Sequence, residues 1–372
     1  MKIATLTFTD TSNYGALLQA YALQQYLNDT GNECEVINYQ NKARKFSQVS
    51  GIRKIRSVVW HYSFAPLFEN KKRKKQTEWF RNNVLNLTHK IYKNSDALRT
   101  LNSSVDCFVV GSDQVWNPQN NGFDDAFFLS FANEEKKRIS YAASLGSADG
   151  TYLKSKSDMI LRINDISVRE KQSADLFESV LGISVKTVID PVFLLSKEEW
   201  INHLNLSSIS TSVNTDSGYV LCYVMPGDQE IVEKIYSIAE FISNEEGIRI
   251  ITLGKKNYAK AVGKETLDGD AGPEEFLKYV KDAAYVVTNS FHGTALSIVF
   301  RRQFYSVLKK GNKRNNRIED LLHSIYLSER IVYSDTVFKK SVDSRIDFTR
   351  VDQTLSAEIN KSKQFLERAI EE

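Results

Sequence analysis

Residues 3–39, IATLTFTDTSNYGALLQAYALQQYLNDTGNECEVINY, decide the fold. Residues 3–8 read as a strand. Ala16, Ala20, Leu23 and Leu27 then recur at helical spacing until Gly31, a C-terminal stop, and residues 34–39 form a second strand. Strand, helix and strand in that order make a βαβ unit, the building block of a parallel sheet. Working outward, residues 106–110, 139–143, 166–168 and 185–189 are apolar runs that each end at a Gly, Asp or Arg, and they read as the remaining strands of this first sheet.

Residues 206–218 run LSSISTSVNTDSG, a Ser, Thr, Asn and Gly composition that marks a loop. The alternation then restarts. Strands are expected at 219–224, 249–253, 285–288 and 304–308, and helices near 228–243, 273–282 and 292–300, with a last helix at about 352–369. The reading is an α/β chain of two Rossmann-like domains facing a cleft, similar to the two-domain GT-B type of glycosyltransferase. It assigns residues 1–196 to an N-terminal domain on the acceptor side, 197–218 to a linker, and 219–350 to a C-terminal domain on the donor side. Residues 351–372 form a terminal helix that packs back on the first domain.

A chain of 372 residues with 42% hydrophobic composition has material for two cores. Cys34, Cys107 and Cys222 are widely spaced with no CxxC, which indicates neither a disulfide framework nor a zinc site and fits a reducing compartment. The apolar start is broken by Thr5, Thr7 and Asp10, too short and polar for a secretory signal, and no run is long enough for a membrane span. A cytoplasmic location is expected.

The net charge of +3 is unevenly spread. Residues 42–81 hold twelve Lys or Arg against Glu69 and Glu78, a local +10 that leaves −7 for the remainder. Trp60, Tyr62, Phe64, Phe68, Trp79 and Phe80 interleave with those charges. Such a segment suits an anionic membrane face or a pyrophosphate-lipid acceptor, or is a solvated basic helix with inward aromatics. A nucleic-acid partner is not expected, because one basic segment does not outweigh the strand-end motifs that follow.

Ligands of open parallel sheets bind beyond the carboxyl ends of the strands, where helix N-termini favour anions. After the first strand comes TDTSNYG (9–15), where Asn13 can bond a hydroxyl and Tyr14 opens the helix, unless this is only a capped turn. VGSDQVWNP (110–118) delivers Asp113, suited to orienting or deprotonating a sugar hydroxyl, and Trp116, suited to stacking on a pyranose; the alternatives are a helix cap and a core Trp. Arg169 stands where strand 166–168 stops and fits bidentate capture of a carboxylate or phosphate, while Glu170 beside it offers a plain ion pair. The sharpest candidate is VVTNSFHGTA (286–295), which places His292 at a helix start, where the imidazole tends to stay neutral. Gly293 and Thr294 there are expected to offer amides to a phosphate, and Lys255, Arg314 and Arg317 beyond later strands to complete an anion site. No metal cluster is expected.

In these stretches, with ISYAASLG (139–146) and Asp190-Pro191-Val192, the chain resembles the polysaccharide pyruvyl transferases from the first strand to about residue 325. The resemblance implies a transferase that joins the enolpyruvyl carbon of phosphoenolpyruvate to two hydroxyls of a hexose in a surface polysaccharide or its lipid-linked precursor. Phosphoenolpyruvate is then a co-substrate, and no cofactor is implied. It also implies that Arg169 pairs with phosphoenolpyruvate and that His292 lies beside it. One position departs: such enzymes often have Arg two residues before this histidine, where this chain has Ser290, so Lys255, Arg314 or Arg317 substitutes or the donor differs. Two rival readings share the architecture: a nucleotide-sugar glycosyltransferase, and a catalytically silent binding module of a glycan assembly complex.

Overall fold

The structure is a computed structural model that describes residues 1–40, 71–215, 217–226, 228–253, 265–266, 271–312, 315–338 and 345–372. Lys255, Arg314 and most of the basic segment, residues 42–70, lie outside the described residues. The chain divides into two compact units. The first holds Met1–Glu69, Glu78–Leu194 and Glu358–Glu372; the second holds Asn70–Thr77 and Leu195–Ala357.

The first unit carries strands β1 (Lys2–Leu6), β2 (Glu33–Val36), β3 (Cys107–Gly111), β4 (Lys137–Ala143), β5 (Asp165–Val168) and β6 (Lys186–Thr187), all parallel, in the order β2-β1-β3-β4-β5-β6. Helix α1 (Tyr14–Asp29) returns the chain from β1 to β2 and is buried on nearly every side. It therefore has to satisfy its own polar groups. Gln24 does so through Nε2, which donates to the carbonyls of Cys34 at 3.1 Å and Asn86 at 2.7 Å. Helix α2 (Lys71–Asn83) buries Thr77, Phe80 and Arg81 and exposes Lys72, Lys74, Lys75 and Trp79, and α3 (Lys171–Leu181) follows β5. Phe80 meets Tyr21 edge-on at 6.0 Å, so of the two described aromatics in the basic segment one is core and one is surface.

The second unit opens with α4 (Lys197–His203) and continues through β7 (Tyr219–Tyr223), α5 (Gln229–Glu246), β8 (Arg249–Leu253), β9 (Glu265–Thr266), α6 (Pro273–Asp282), β10 (Tyr285–Thr288), α7 (Phe291–Val299), β11 (Gln303–Leu308), α8 (Asn316–Ser324) and β12 (Ile331–Tyr333). Its strands are again all parallel, in the order β12-β11-β10-β7-β8-β9. The terminal helix α9 (Phe348–Glu371) contributes residues from Glu358 onward to the first unit. There Glu367 accepts from the Tyr26 hydroxyl at 2.6 Å and Ser362 Oγ from the Ile189 amide at 3.0 Å.

Residues 197–218 are not a bare linker. They belong to the second unit, and α4 is held by a capping box in which Ser196 Oγ accepts from the Glu199 amide and Glu199 returns a bond to the Ser196 amide. Edge strands β9 and β12 are two and three residues long, too short to show a period in the sequence.

Both sheets reverse direction at one point. From β1 the chain goes to β2 on one side and β3 on the other; from β7 it goes to β8 on one side and β10 on the other. Loops diverge at such switch points and leave a crevice past the strand ends.

Candidate active site

The first switch point is closed by Gln19, a fully buried residue of α1. Its Nε2 donates to Thr7 Oγ1 at 2.9 Å, just past β1, and its Oε1 accepts from the Ser112 amide at 3.1 Å, just past β3. Gly111 is required at the end of β3, because a Cβ there would lie 1.9 Å from the Tyr141 carbonyl oxygen. Ser112 Oγ lies 3.0 Å from the Ala142 carbonyl and 3.2 Å from Asp190 Oδ2. That same Oδ2 accepts from Arg169 Nη1 at 2.6 Å, while Asp190 Oδ1 caps the turn Pro191–Phe193 through the Val192 amide. Arg169 Nε donates to Glu170 Oε1 at 3.0 Å.

Arg169 is thus buried, 8% exposed, among carboxylates. Burial alone would push the guanidinium's pKa down; Glu170, Asp190 and Asp113 outweigh it and hold it above its ordinary value. The expectation that Arg169 takes a donor anion therefore meets a guanidinium already engaged by two acids at close range. Asp113 is half-buried and has a φ of +62°, in the left-handed region that aspartate tolerates better than most side chains.

The other first-unit candidates divide between caps and core. Asn13 is the N-cap of α1, accepting from the Gly15 amide at 3.0 Å, and Tyr14 is buried. Trp116 is fully buried, stacked on Phe128 at 5.6 Å with Nε1 donating to the Phe127 carbonyl at 2.8 Å. Its ring is core and has no face left for a pyranose.

At the second switch point Asn289 ties the end of β10 to the end of β7, its Oδ1 accepting from the Met225 amide at 2.8 Å and its Nδ2 donating to the Met225 carbonyl at 3.1 Å. Thr288 Oγ1 donates to the Tyr223 carbonyl at 2.6 Å and accepts from the Ser290 amide at 3.0 Å. Ser290 is the N-cap of α7: its Oγ accepts from the Gly293 amide at 3.3 Å, and its carbonyl takes the Thr294 amide at 3.0 Å. These two amides are committed within the helix, so the expectation that they hold a phosphate is corrected. Gly293 has a packing role instead, since a Cβ would lie 2.8 Å from Thr288 Oγ1 and 3.0 Å from Tyr223 Cδ1.

His292 is 5% exposed and meets Phe291 edge-to-face, with centroids 5.2 Å apart. Arg317, from the first turn of α8, lies over the Phe291 ring at 5.7 Å, which brings one cation expected from the sequence to the His292 turn. A second cation there was not expected. Arg73 of α2 hydrogen-bonds the Tyr223 side chain at the end of β7; burial raises the pKa of that phenol and Arg73 opposes the rise. No local pattern distinguishes Arg73 from the basic residues on either side of it.

These features define a class of protein, an α/β chain of two Rossmann-like units of the GT-B type with candidate residues at both switch points. Among solved structures it is similar to the UDP-GlcNAc 2-epimerase of Methanocaldococcus jannaschii, with a TM-score of 0.53 and 12% identity over 100% of this chain and 99% of that one. A putative UDP-N-acetylglucosamine 2-epimerase from Listeria monocytogenes gives a TM-score of 0.52 and 8% identity over 98% and 90%. At such identities the likeness concerns the fold. No curated protein matches the sequence. The polysaccharide pyruvyl transferase family model matches residues 13–308, and the chain belongs to that family.

Proposed function

We propose that the protein transfers the pyruvyl group of phosphoenolpyruvate to two hydroxyls of one hexose, forming a ketal on a surface polysaccharide or its lipid-linked precursor. The observation that carries this reading is the convergence of the family stretches on the two switch points: Gln19, Ser112, Asp113, Arg169 and Asp190 in one unit, and Asn289 to Gly293 in the other. Arg317 and Arg73 supply cations for the phosphate and carboxylate of the donor, in place of the arginine that Ser290 replaces. His292 protonates the methylene carbon, which leaves an oxocarbenium-like centre. A sugar hydroxyl then attacks that carbon and returns a proton to His292, and the C–O bond to phosphate breaks. The second hydroxyl closes the ketal. Of the two hydroxyl protons, one replaces the proton given to the methylene and the other leaves with phosphate. Arg169 acts as a positioning residue that fixes Asp190.

Among the described residues no helix is long and apolar enough to cross a membrane. Trp79, 53% exposed beside Lys72, Lys74 and Lys75, supports peripheral contact with an anionic membrane on the cytoplasmic side.

The test is phosphate release from phosphoenolpyruvate with a panel of lipid-pyrophosphate sugars, with ketal formation followed by mass spectrometry. Acceptor-dependent release that disappears in His292→Ala is expected. Release independent of acceptor, or none with any sugar, overturns the reading. Co-sedimentation with anionic vesicles at low salt, lost on charge reversal of Lys71 to Lys75, checks the membrane contact; indifference to vesicles rejects it.

A further inference from the structure

The second unit has an open cavity of about 530 Å³ lined by Lys197, Ile201, Thr215, Lys278, Lys281, Asp282 and Arg302. It lies at the opposite edge of the sheet from Ser290 and His292. Thr215 precedes β7, Lys278 to Asp282 end the helix that leads into β10, and Arg302 immediately precedes β11. The parallel strands run from this edge to the other, so the cavity is roughly 13–20 Å from the His292 turn, four to six residues at about 3.3 Å each.

Among the described residues four cations and one carboxylate line the cavity, a balance of +3. Two of the cations have local work. Lys278 Nζ donates to Asp282 at 2.8 Å, and Lys281 also pairs with it and, from the last turn, complements the C-terminal end of α6. The other two are less engaged. Arg302 Nε donates to the Phe300 carbonyl at 2.8 Å, but its two Nη groups and the Lys197 ammonium bond no described residue. Asp282 is already shared by Lys278, Lys281 and Thr215 Oγ1. All four cations are half-buried. Withdrawing four like charges partly from water around one acid costs free energy unless an anion joins them.

We propose that this cavity is a second anion site that takes a phosphoryl or pyrophosphoryl group carrying two or more negative charges. The Arg302 fork and Lys197 supply charge-assisted donors, Lys278 and Lys281 supply background charge, and the volume is that of a small-molecule site. The site is independent of the transfer chemistry proposed above.

Two probes separate a free anion from the head of a lipid: inorganic pyrophosphate and the short isoprenyl diphosphate geranyl diphosphate, titrated calorimetrically into the full chain. We expect saturable binding that weakens on the order of tenfold in Lys197→Gln and again in Arg302→Gln, and that is retained in His292→Ala. Tighter binding of geranyl diphosphate assigns the lipid head, and equal binding assigns the free anion. Hydrogen exchange across β7, β10 and β11 verifies that both variants keep the fold, and Lys197, on the surface of a short helix, is the safer of the two. No binding of either probe, binding unchanged in folded Lys197→Gln and Arg302→Gln, or binding lost in His292→Ala overturns the proposal.

Discussion

Arg169→Met is expected to destabilise the first unit strongly, whatever it does to turnover. The guanidinium is 4% exposed as a side chain and bonds Asp190, fully buried, at 2.6 Å and Glu170, 6% exposed, at 3.0 Å. Removing it leaves two carboxylates facing each other in the interior, and breaking a buried pair from one side costs about 3–5 kcal/mol. For a unit of this size, with about 2–4 °C per kcal/mol, the melting midpoint falls by roughly 6–20 °C. Two units need not unfold together, so a single midpoint for the chain is ambiguous. The better assay is native-state hydrogen exchange on peptides covering β3 to β6, read in Arg169→Met, Asp190→Asn and the double variant. The double variant should be destabilised less than the sum of the singles, because each single change strands what the other removes. Additivity within about 0.5 kcal/mol would show that the pair does not couple and would refute its structural role. A first unit as protected as the wild type while turnover is lost would restore Arg169 as a direct ligand of the donor.

Gly293→Ala should cost about 1–3 kcal/mol in chemical denaturation, because its Cβ meets Thr288 Oγ1 at 2.8 Å and Thr288 is tied to the Tyr223 carbonyl. Thr288→Ala in the same chain should recover part of that loss, and a wild-type midpoint for Gly293→Ala alone contradicts the packing. Trp116→Ala should lower stability by about 3–5 kcal/mol, and Trp116→Phe, if it folds, should leave the acceptor KM unchanged; a raised KM with unchanged stability would return Trp116 to the acceptor site. Glu274 has its pKa pushed up from 4.5 to about 7, by burial first and Glu275 second. The folded state therefore holds that proton more tightly than the unfolded chain, so Glu274 makes stability fall as pH rises from about 4.5 to about 7. Glu274→Gln should remove this slope, and denaturation curves across that window with identical slopes for both proteins reject the shift.

The strand ends were legible because each central strand is an apolar run stopped by a polar or glycine residue, and such stops place the ligand edge of a parallel sheet without any knowledge of contacts. What a residue does at that edge was not legible. Gln19, Ser112 and Asp190 sit far apart in the chain, and only the order β1-β3-β4-β5 brings them within hydrogen-bond range. Trp116 follows a motif turn whether its ring faces a sugar or Phe128, and the sequence has no period there to choose between them. Ser290 is the opposite case. A Ser three residues before Gly293, at the start of an apolar helix, is a readable N-cap, and reading it as a missing arginine hid the role it has. The capping box of Ser196 and Glu199 was equally readable in a stretch whose polar composition suggested a linker.

The distribution of charge over the two switch points bears on where a donor anion is held. At the first, Arg169 is the buried cation among Glu170, Asp190 and Asp113, and a trianionic ligand brought to those acids would be repelled more than attracted. At the second, Arg317 lies over the Phe291 ring at the start of α7 and Arg73 hydrogen-bonds the Tyr223 side chain at the end of β7, so two cations reach the strand ends of that unit. Asp228 in the same unit is paired with Lys309. By charge alone, an arginine-bearing edge suits an anion better than an acid-rich one. Ser290 caps the helix, and positive charge reaches these strand ends from α8, on the Arg317 that the sequence offered, and from α2, on an Arg73 that no local pattern singles out.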